Sequence, residues 1–303
     1  MVANESRRAV VSGASGLVGS RLVEHLRGSG YRVSRLVRGG GQPGDVAWDP
    51  AGQRIDEAGL EGVDAVVHLA GESIAAGRWT NARKARIRDS RVTGTRLLVD
   101  ALGRLRKPPR VLLSASAVGY YGDRGDDWLE ETAGPGMGFL AEVCRDWEAA
   151  AERASAHGIR VVRYRMGLVL ASEGGALGRM LPVFRSGLGG TLGTGRHYQS
   201  FITRHDLERA MLHGLETDAV SGAVNAVSPY PVTNREFTRV LARVLRRPAV
   251  LPVPAFALRV GLGELAGELL SSQRARPSVL ERAGFEFEHS ELELALRAVL
   301  SPG

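Results

Sequence analysis

The feature that most constrains the fold of this 303-residue chain is a glycine-rich turn near its start. Residues 13–19 read GASGLVG and follow a short apolar run at 9–11. Apolar residues at helical spacing come next and stop at the glycines of 28–30, before a second apolar run at 31–37. This order predicts a β-α-β unit whose glycine turn opens the helix.

The spacing of the glycines is typical of a turn that binds a dinucleotide. Gly13 would permit the tight turn, Gly16 would let the backbone approach a pyrophosphate, and Gly19 would let the helix pack against the strand. The phosphates would lie at the helix N-terminus, where free N–H groups and the helix dipole favour anions. A tight turn without a ligand is the alternative. The cofactor contacts expected from this turn are Gly13, Ser15, Gly16, Leu17 and Val18.

The end of the second strand predicts which dinucleotide is bound. Proteins that prefer NAD carry Asp or Glu there to hold the ribose 2′-hydroxyl. Here the strand ends Leu36-Val37-Arg38, without an acid. Arg38 would instead reach a 2′-phosphate, with Arg35 as the alternative, and the sequence therefore favours NADP. The competing interpretation is that Arg38 is only a solvated residue at a strand end.

Strand and helix patterns continue to alternate along the chain. Apolar runs at 64–69, 111–114 and 160–164 are separated by helical patterns, as in an α/β protein with a doubly wound parallel sheet. Ligands of such sheets bind at the carboxyl ends of the strands, which places the glycine turn beside residues 69–72 and 114–116. Glu72 could equally hold a loop in place. The further cofactor contacts expected there are Leu69, Ala70, Gly71, Glu72 and Ser114.

The composition of the chain indicates which binding partners and which cellular compartment to expect. The formal net charge is +7, but the basic residues are almost all arginine and lie scattered among acids, so we expect no nucleic-acid binding. No apolar run approaches about 20 residues, and we expect no membrane span. The sequence shows no signal peptide, and its single cysteine excludes an intrachain disulfide, so we expect the cytoplasm. We expect a small-molecule substrate and no metal, and we leave a homodimer open.

Several longer motifs resemble the extended short-chain dehydrogenase/reductases. They are GASGLVG, VVHLAG, RVTGT at 91–95, SASAVGYYG at 114–122 and SFITRHDL at 200–207. Others are similar to one atypical subfamily, the nucleoside-diphosphate-sugar-epimerase-like or epimerase-family proteins. These are LAGESI at 69–74, RWTNARKARIRDSRV at 78–92, VCRDWE at 143–148, RMGLVLASEGGAL at 165–177 and FRSGLGGTLGTG at 184–195. The tail resembles the small C-terminal domain of unknown function that this subfamily carries.

The resemblance covers nearly the whole chain and implies its domain organisation. It implies a Rossmann domain of the extended type over residues 7–230, with residues 166–205 contributing to a smaller substrate lobe. A small, mainly helical C-terminal domain would follow over residues 231–303. The implied activity is NADP-linked oxidoreductase or epimerase chemistry on a small substrate such as a nucleotide sugar.

The catalytic helix of the family departs from its usual pattern here. In ordinary members a Ser or Thr polarises the substrate and a Tyr-x-x-x-Lys helix supplies the proton. Ser116 falls on the family's serine position. Glu148 matches the Glu that follows the Lys by four positions, which aligns the Lys with Cys144 and the Tyr with Leu140. The usual Tyr and Lys are therefore absent.

Two functional hypotheses are compatible with a helix that lacks the usual Tyr and Lys, and both stay open. Cys144 lies on an apolar stripe, which favours an inert packing residue over a reactive thiolate. Tyr121 is the candidate acid beside Ser116, with Tyr120 as the alternative, or it only shapes the nicotinamide pocket. The first function is an NADP-dependent oxidoreductase or epimerase-like enzyme with catalytic Ser116 and Tyr121. The second is a catalytically weak or inactive NADP(H)-binding sensor or scaffold.

Overall fold

A computed structural model describes residues 7–39 and 41–301. Its strands are β1 (Arg8–Ser12), β2 (Arg32–Val37), β3 (Val46–Asp49), β4 (Arg54–Ile55), β5 (Ala65–His68), β6 (Val111–Ala117), β7 (Trp128–Leu129), β8 (Arg160–Met166), β9 (Leu168–Leu170), β10 (Tyr198–Gln199), β11 (Phe201–Thr203), β12 (Gly222–Ala226), β13 (Val232–Thr233) and β14 (Arg274–Ala275). Its helices are α1 (Gly19–Gly28), α2 (Asn81–Leu102), α3 (Phe139–Glu152), α4 (Gly175–Arg185), α5 (Arg204–Glu216), α6 (Asn234–Leu245), α7 (Ala255–Leu262), α8 (Leu265–Leu270), α9 (Ser278–Arg282) and α10 (Leu292–Leu300).

The largest sheet has eight strands in the order β12-β8-β6-β5-β1-β2-β3-β4. Its pairs are parallel except for β3 with β4, which is antiparallel. From β1 the chain builds outward through β2 and β3, then returns to β5 and builds in the other direction. The strand order therefore reverses beside β1, as in ligand-binding doubly wound sheets. The predicted α/β fold is confirmed.

Helices cover both faces of this sheet. Val11 and Val67 pack on the same side as Leu22 of α1 and Leu207 of α5. Val10 packs on the other side in the cluster that includes Leu98 of α2 and Ala151 of α3. Because both faces are buried, the central strands can be apolar without alternation, and all four residues of β5 are buried.

A separate apolar cluster forms the smaller lobe. It joins α4 to helices α6 and α10, with Phe184, Phe237 and Leu296 among its buried members. Packing nevertheless crosses the expected boundary at residue 230, because Leu280 and Phe285 belong to the core beside α5 instead. The division into 7–230 and 231–303 stays a prediction. No helix in the described ranges is both long and apolar enough to cross a bilayer.

Candidate functional site

The glycine turn fits tightly against the end of β5. Gly13 has φ +67°, and a Cβ there would lie 2.8 Å from the carbonyl carbon of Leu69. A Cβ on Gly19 would lie 2.2 Å from the carbonyl oxygen of Gly13. Val18 precedes α1 and forms no side-chain capping hydrogen bond, so the capping residue leaves the first N–H groups of α1 without a side-chain partner. The arrangement leaves room for an anion at the start of α1.

A buried hydrogen-bond group joins the carboxyl ends of β1 and β5. Ser12 Oγ accepts from the backbone N–H groups of Leu69, at 3.1 Å, and Ala70, at 3.2 Å. It lies 2.7 Å from Nδ1 of His68, and its own proton is directed there because the two N–H groups already donate to the oxygen. Burial lowers the pKa of His68 to about 4. The neutral His68 and Ser12 thus hold the segment after β5 beside the glycine turn.

Glu72 is bound to α2 on several sides. Its carboxylate accepts from Nε of Arg86 at 3.3 Å, and its N–H donates to Oγ of Ser90 at 3.0 Å. Its carbonyl oxygen accepts from Nη1 of Arg91 at 2.9 Å. These contacts support the alternative in which Glu72 holds the 69–72 loop. Gly71 is exposed and Leu69 and Ala70 are half-buried.

The two arginines near the end of β2 differ in availability. Arg35 donates from Nε and Nη2 to the two carboxylate oxygens of Asp45, at 2.9 and 2.6 Å. Arg38 is exposed directly after the strand and forms no ion pair with any residue of 7–39 or 41–301. Of the two, only Arg38 therefore has a guanidinium group available for a 2′-phosphate.

Ser116 is held by a buried ion pair. It is the register partner of Arg165 on β8, so both side chains point to the face on which α3 packs. Its Oγ donates to Oε1 of Glu148 at 2.6 Å, and Arg165 donates to both oxygens of the same carboxylate at 2.8 Å. All three residues are less than 5% exposed. Since its single proton is committed to Glu148, Ser116 can accept a hydrogen bond from a ligand but not donate one.

Tyr121 is fully buried at the end of a 3₁₀ turn, Val118–Tyr121. Its hydroxyl donates to Oδ1 of Asn225 at 2.7 Å and accepts from Nη1 of Arg165 at 3.0 Å. Burial raises the pKa of Tyr121 to about 12. Tyr120 is half-buried instead, with its ring 3.6 Å from the guanidinium carbon of Arg165. This geometry favours a packing role for Tyr121, and its catalytic role stays a prediction.

The two residues that the sequence aligns with the family's Tyr and Lys are both buried. Leu140 belongs to an apolar cluster with Trp79, Ile87 and Leu265. Cys144 is 4% exposed, and burial raises the pKa of its thiol to about 12. This agrees with the interpretation of an inert thiol. Neither residue can supply a proton or a fixed positive charge near neutral pH.

Sequence reasoning missed the buried polar residues that surround these positions. Arg165 was named only within a family motif and Asn225 was not singled out, yet both bond to Tyr121. Glu131 accepts from the N–H groups of Asn225 and Val279 at 3.1 Å, and burial raises its pKa. A charged or amide residue inside an apolar strand was the available signal, because burial of such a group requires partners.

The remaining candidate residues differ in exposure. Ser114 is 1% exposed within β6, and its hydroxyl bonds only to the carbonyl of Ala115 in the described structure. Ser15 and Gly16 are exposed, whereas Leu17 is half-buried and would contact a Cβ on Gly174 at 3.1 Å. In the part of the chain that is described, no three His, Cys, Asp or Glu residues are placed to hold a metal ion.

Comparison with known proteins identifies the family of the chain. Residues 9–227 match the NAD dependent epimerase/dehydratase family, and residues 253–299 match a domain of unknown function, DUF1731. The epimerase family protein ML0860 of Mycobacterium leprae is 42% identical over 299 residues, which cover 97% of each chain.

Two crystal structures are similar over almost all of this chain. The human epimerase family protein SDR39U1, crystallised with NADPH, has a TM-score of 0.90 at 33% identity and covers 96% of this chain and 98% of its own. A nucleoside-diphosphate sugar epimerase of Corynebacterium glutamicum has a TM-score of 0.81 at 34% identity, covering 97% of this chain and 58% of its own. The chain belongs to the NAD dependent epimerase/dehydratase family and carries the DUF1731 domain at its C-terminal end.

Proposed function

We propose that this chain binds NADP(H) along the carboxyl edge of the central sheet. The observation that carries the proposal is the glycine turn, which is packed against Leu69 and opens an uncapped α1. Arg38 supplies the preference for the 2′-phosphate, because Arg35 is occupied by Asp45. The NADPH found with human SDR39U1, which shares the fold closely, supports the same cofactor.

The proposed activity is that of an oxidoreductase or epimerase-like enzyme for a small substrate, expected in the cytoplasm. When bound, the nicotinamide would donate or accept a hydride. The protein's own part is to hold the dinucleotide and to exclude water beside Ser116. Tyr120 is the half-exposed hydroxyl nearest that position in sequence, whereas Tyr121 would have to exchange its bonds to Asn225 and Arg165 before it could move a proton.

A second function has its own support. Ser116 donates its proton to Glu148, and Tyr121 donates its proton to Asn225. With Leu140 and Cys144 at the family's Tyr and Lys positions, the usual proton donors are committed or missing. An NADP(H)-binding sensor or scaffold with weak or no turnover requires none of them.

The first experiment is a pair of titrations with NADPH and NADH. We expect Arg38→Ala to weaken NADPH binding about tenfold or more, because one charge-assisted contact is worth about 1.5–3 kcal/mol, and to leave NADH binding unchanged. Arg32→Ala is the matched control, since Arg32 is an exposed arginine at the opposite end of β2. Equal affinity for both dinucleotides, or an equal effect of the two substitutions, would contradict the proposal.

A turnover assay separates the two functions. NADPH oxidation is followed with a panel of aldehydes, ketones and nucleotide sugars on the wild type and on the Ser116→Ala, Tyr121→Phe double variant. A rate that the double variant abolishes supports the enzyme with these catalytic residues. Tight NADPH binding without turnover on any substrate supports the sensor or scaffold.

A further inference from the structure

Arg91, near the middle of α2, lies directly under the loop expected to contact the cofactor. Its Nη1 donates to the carbonyl oxygens of Glu72, at 2.9 Å, and Ile87, at 3.1 Å. A Cβ on Gly71 would lie 3.2 Å from the Arg91 guanidinium carbon and 3.4 Å from Nη2. The guanidinium therefore fills the space below Gly71, and a Cβ there would be in tight contact with it.

The other side of Arg91 faces α3. Its guanidinium carbon lies 5.2 Å from the centre of the Trp147 ring, within the range of a cation–π contact. Burial raises the pKa of Cys144, while the positive charge of Arg91 acts on the same thiol in the opposite direction. Arg91 thus lies between the 69–72 loop and the turn of α3 that carries Cys144 and Trp147.

This position matters because α3 carries a cysteine, and no cation, at the position aligned with the family's lysine. Cys144 stands where the family has lysine, and its thiol is neutral. Nη1 of Arg91 makes both of its hydrogen bonds, and Nη2 has no hydrogen-bond partner among residues 7–39 and 41–301. Nη2 is not one of the fully buried polar atoms that lack a partner, so it is at least partly accessible. A cation with a free donor therefore remains beside Gly71.

We infer that Arg91 takes over the role of the missing lysine and donates from Nη2 to the nicotinamide-side ribose of bound NADP(H). This inference rests on the proposed function, because it concerns the same cofactor site. Arg91 is suited to the task because the guanidinium stays charged and presents several donors in a fixed plane. The guanidinium lies over the Trp147 ring and one of its nitrogens is fixed by the loop, so the free donor is held in place.

The test compares two ligands on the same variants. NADPH contains the nicotinamide ribose, whereas adenosine 2′,5′-bisphosphate keeps the 2′-phosphate end and lacks that ribose. We expect Arg91→Met to weaken NADPH binding about tenfold or more and to leave the bisphosphate affinity unchanged. Arg88→Met is the matched control, because Arg88 also links α2 to α3, through Glu142 and Asp146, but is more exposed. We expect it to change neither affinity.

Each outcome has a defined meaning. If Arg91→Met binds NADPH as tightly as the wild type does, the inference is overturned. An equal loss of affinity for both ligands would also overturn it, because a structural loosening of the loop would explain such a loss. Absence of NADPH binding by the wild type would instead overturn the proposed function, and the inference with it. If Arg91→Met does not fold, Arg91→Lys replaces it, and the same selective loss for NADPH is expected because a lysine cannot make the loop contacts and the ribose contact together.

Discussion

Ser116 and Glu148 share a hydrogen bond of 2.6 Å between the serine Oγ and the carboxylate Oε1, in the interior of the protein. The sequence aligns Ser116 on β6 with the family's serine and Glu148, within α3, with the Glu that follows the family's lysine by four positions. Here they bond to each other, and Arg165 completes the group with two hydrogen bonds to Glu148. The serine of the family pattern is therefore hydrogen-bonded to a buried ion pair.

Glu148→Gln should therefore destabilise the fold strongly. Removal of the carboxylate charge leaves Arg165 buried without a counter-ion, which typically costs about 3–5 kcal/mol in free energy of unfolding. Urea denaturation of the variant and the wild type measures the difference. Glu152→Gln, one turn later in α3, is the control. Its side chain is 45% exposed and, among residues 7–39 and 41–301, pairs with Arg163 alone, so a change of at most about 0.5 kcal/mol is expected. Similar losses of stability in the two variants would show that the buried ion pair contributes no more than the exposed one.

The two adjacent tyrosines should respond differently to loss of the hydroxyl. Tyr121→Phe leaves Oδ1 of Asn225 without its donor and removes one acceptor from Arg165, so we expect a loss of about 1–3 kcal/mol. Tyr120→Phe removes a hydroxyl that makes no hydrogen bond within the described residues, and its stability should stay close to that of the wild type. Thermal or urea unfolding of the pair measures this contrast. A stable Tyr121→Phe protein that loses turnover would restore the catalytic assignment of Tyr121.

Local sequence signals were sufficient to predict the sheet and the glycine turn. The β1-α1-β2 unit follows from short-range patterns, because strand, turn and helix are consecutive and each glycine has a local steric reason. The same kind of local alignment places Leu140 and Cys144 at the family's Tyr and Lys positions, which stays a prediction.

Pairings between distant residues could not be predicted in the same way. The bond between Ser116 and Glu148 depends on how α3 lies on β6, which no local pattern encodes. The choice of Tyr121 over Tyr120 rested on its position before Gly122, whereas the direction of each ring is set by a 3₁₀ turn. The domain boundary could not be predicted from local patterns for the same reason. Phe285 lies beyond the expected boundary, yet it packs in the core beside α5, which is a contact between distant residues.

The glycine turn itself can be tested by adding one methyl group. Gly19→Ala would place a Cβ 2.2 Å from the carbonyl oxygen of Gly13, so backbone must move and we expect a loss of about 2 kcal/mol or more. Gly28→Ala is the control in the same helix, because nothing lies within 4 Å of the added Cβ. That substitution should be neutral or stabilise the protein by up to about 1 kcal/mol. NADPH titration should show weakened binding for Gly19→Ala alone. Unchanged stability and affinity in Gly19→Ala would contradict the tight packing of the turn.

Glu208 gives the protein a measurable pH dependence. It is 8% exposed and lines a cleft of about 610 Å³ between α1 and α5. Burial raises its pKa to about 7, against the attraction of Arg204, whose Nε lies 3.3 Å away. Because the folded pKa is raised above the unfolded value near 4.5, the folded state retains a proton that the unfolded chain releases. The free energy of unfolding should therefore fall as the pH rises from about 4.5 to 7.

Glu208→Gln should remove this dependence. A shift of this size corresponds to about 3 kcal/mol, so the variant should gain up to that amount relative to the wild type between pH 4.5 and 8. The buried His68 changes stability in the opposite direction, but it is common to both proteins and cancels in the difference. Glu24→Gln is the control, because its side chain at the same cleft is 65% exposed. Unfolding measured across this pH range tests the prediction, and a Glu208→Gln curve parallel to that of the wild type would refute the raised pKa.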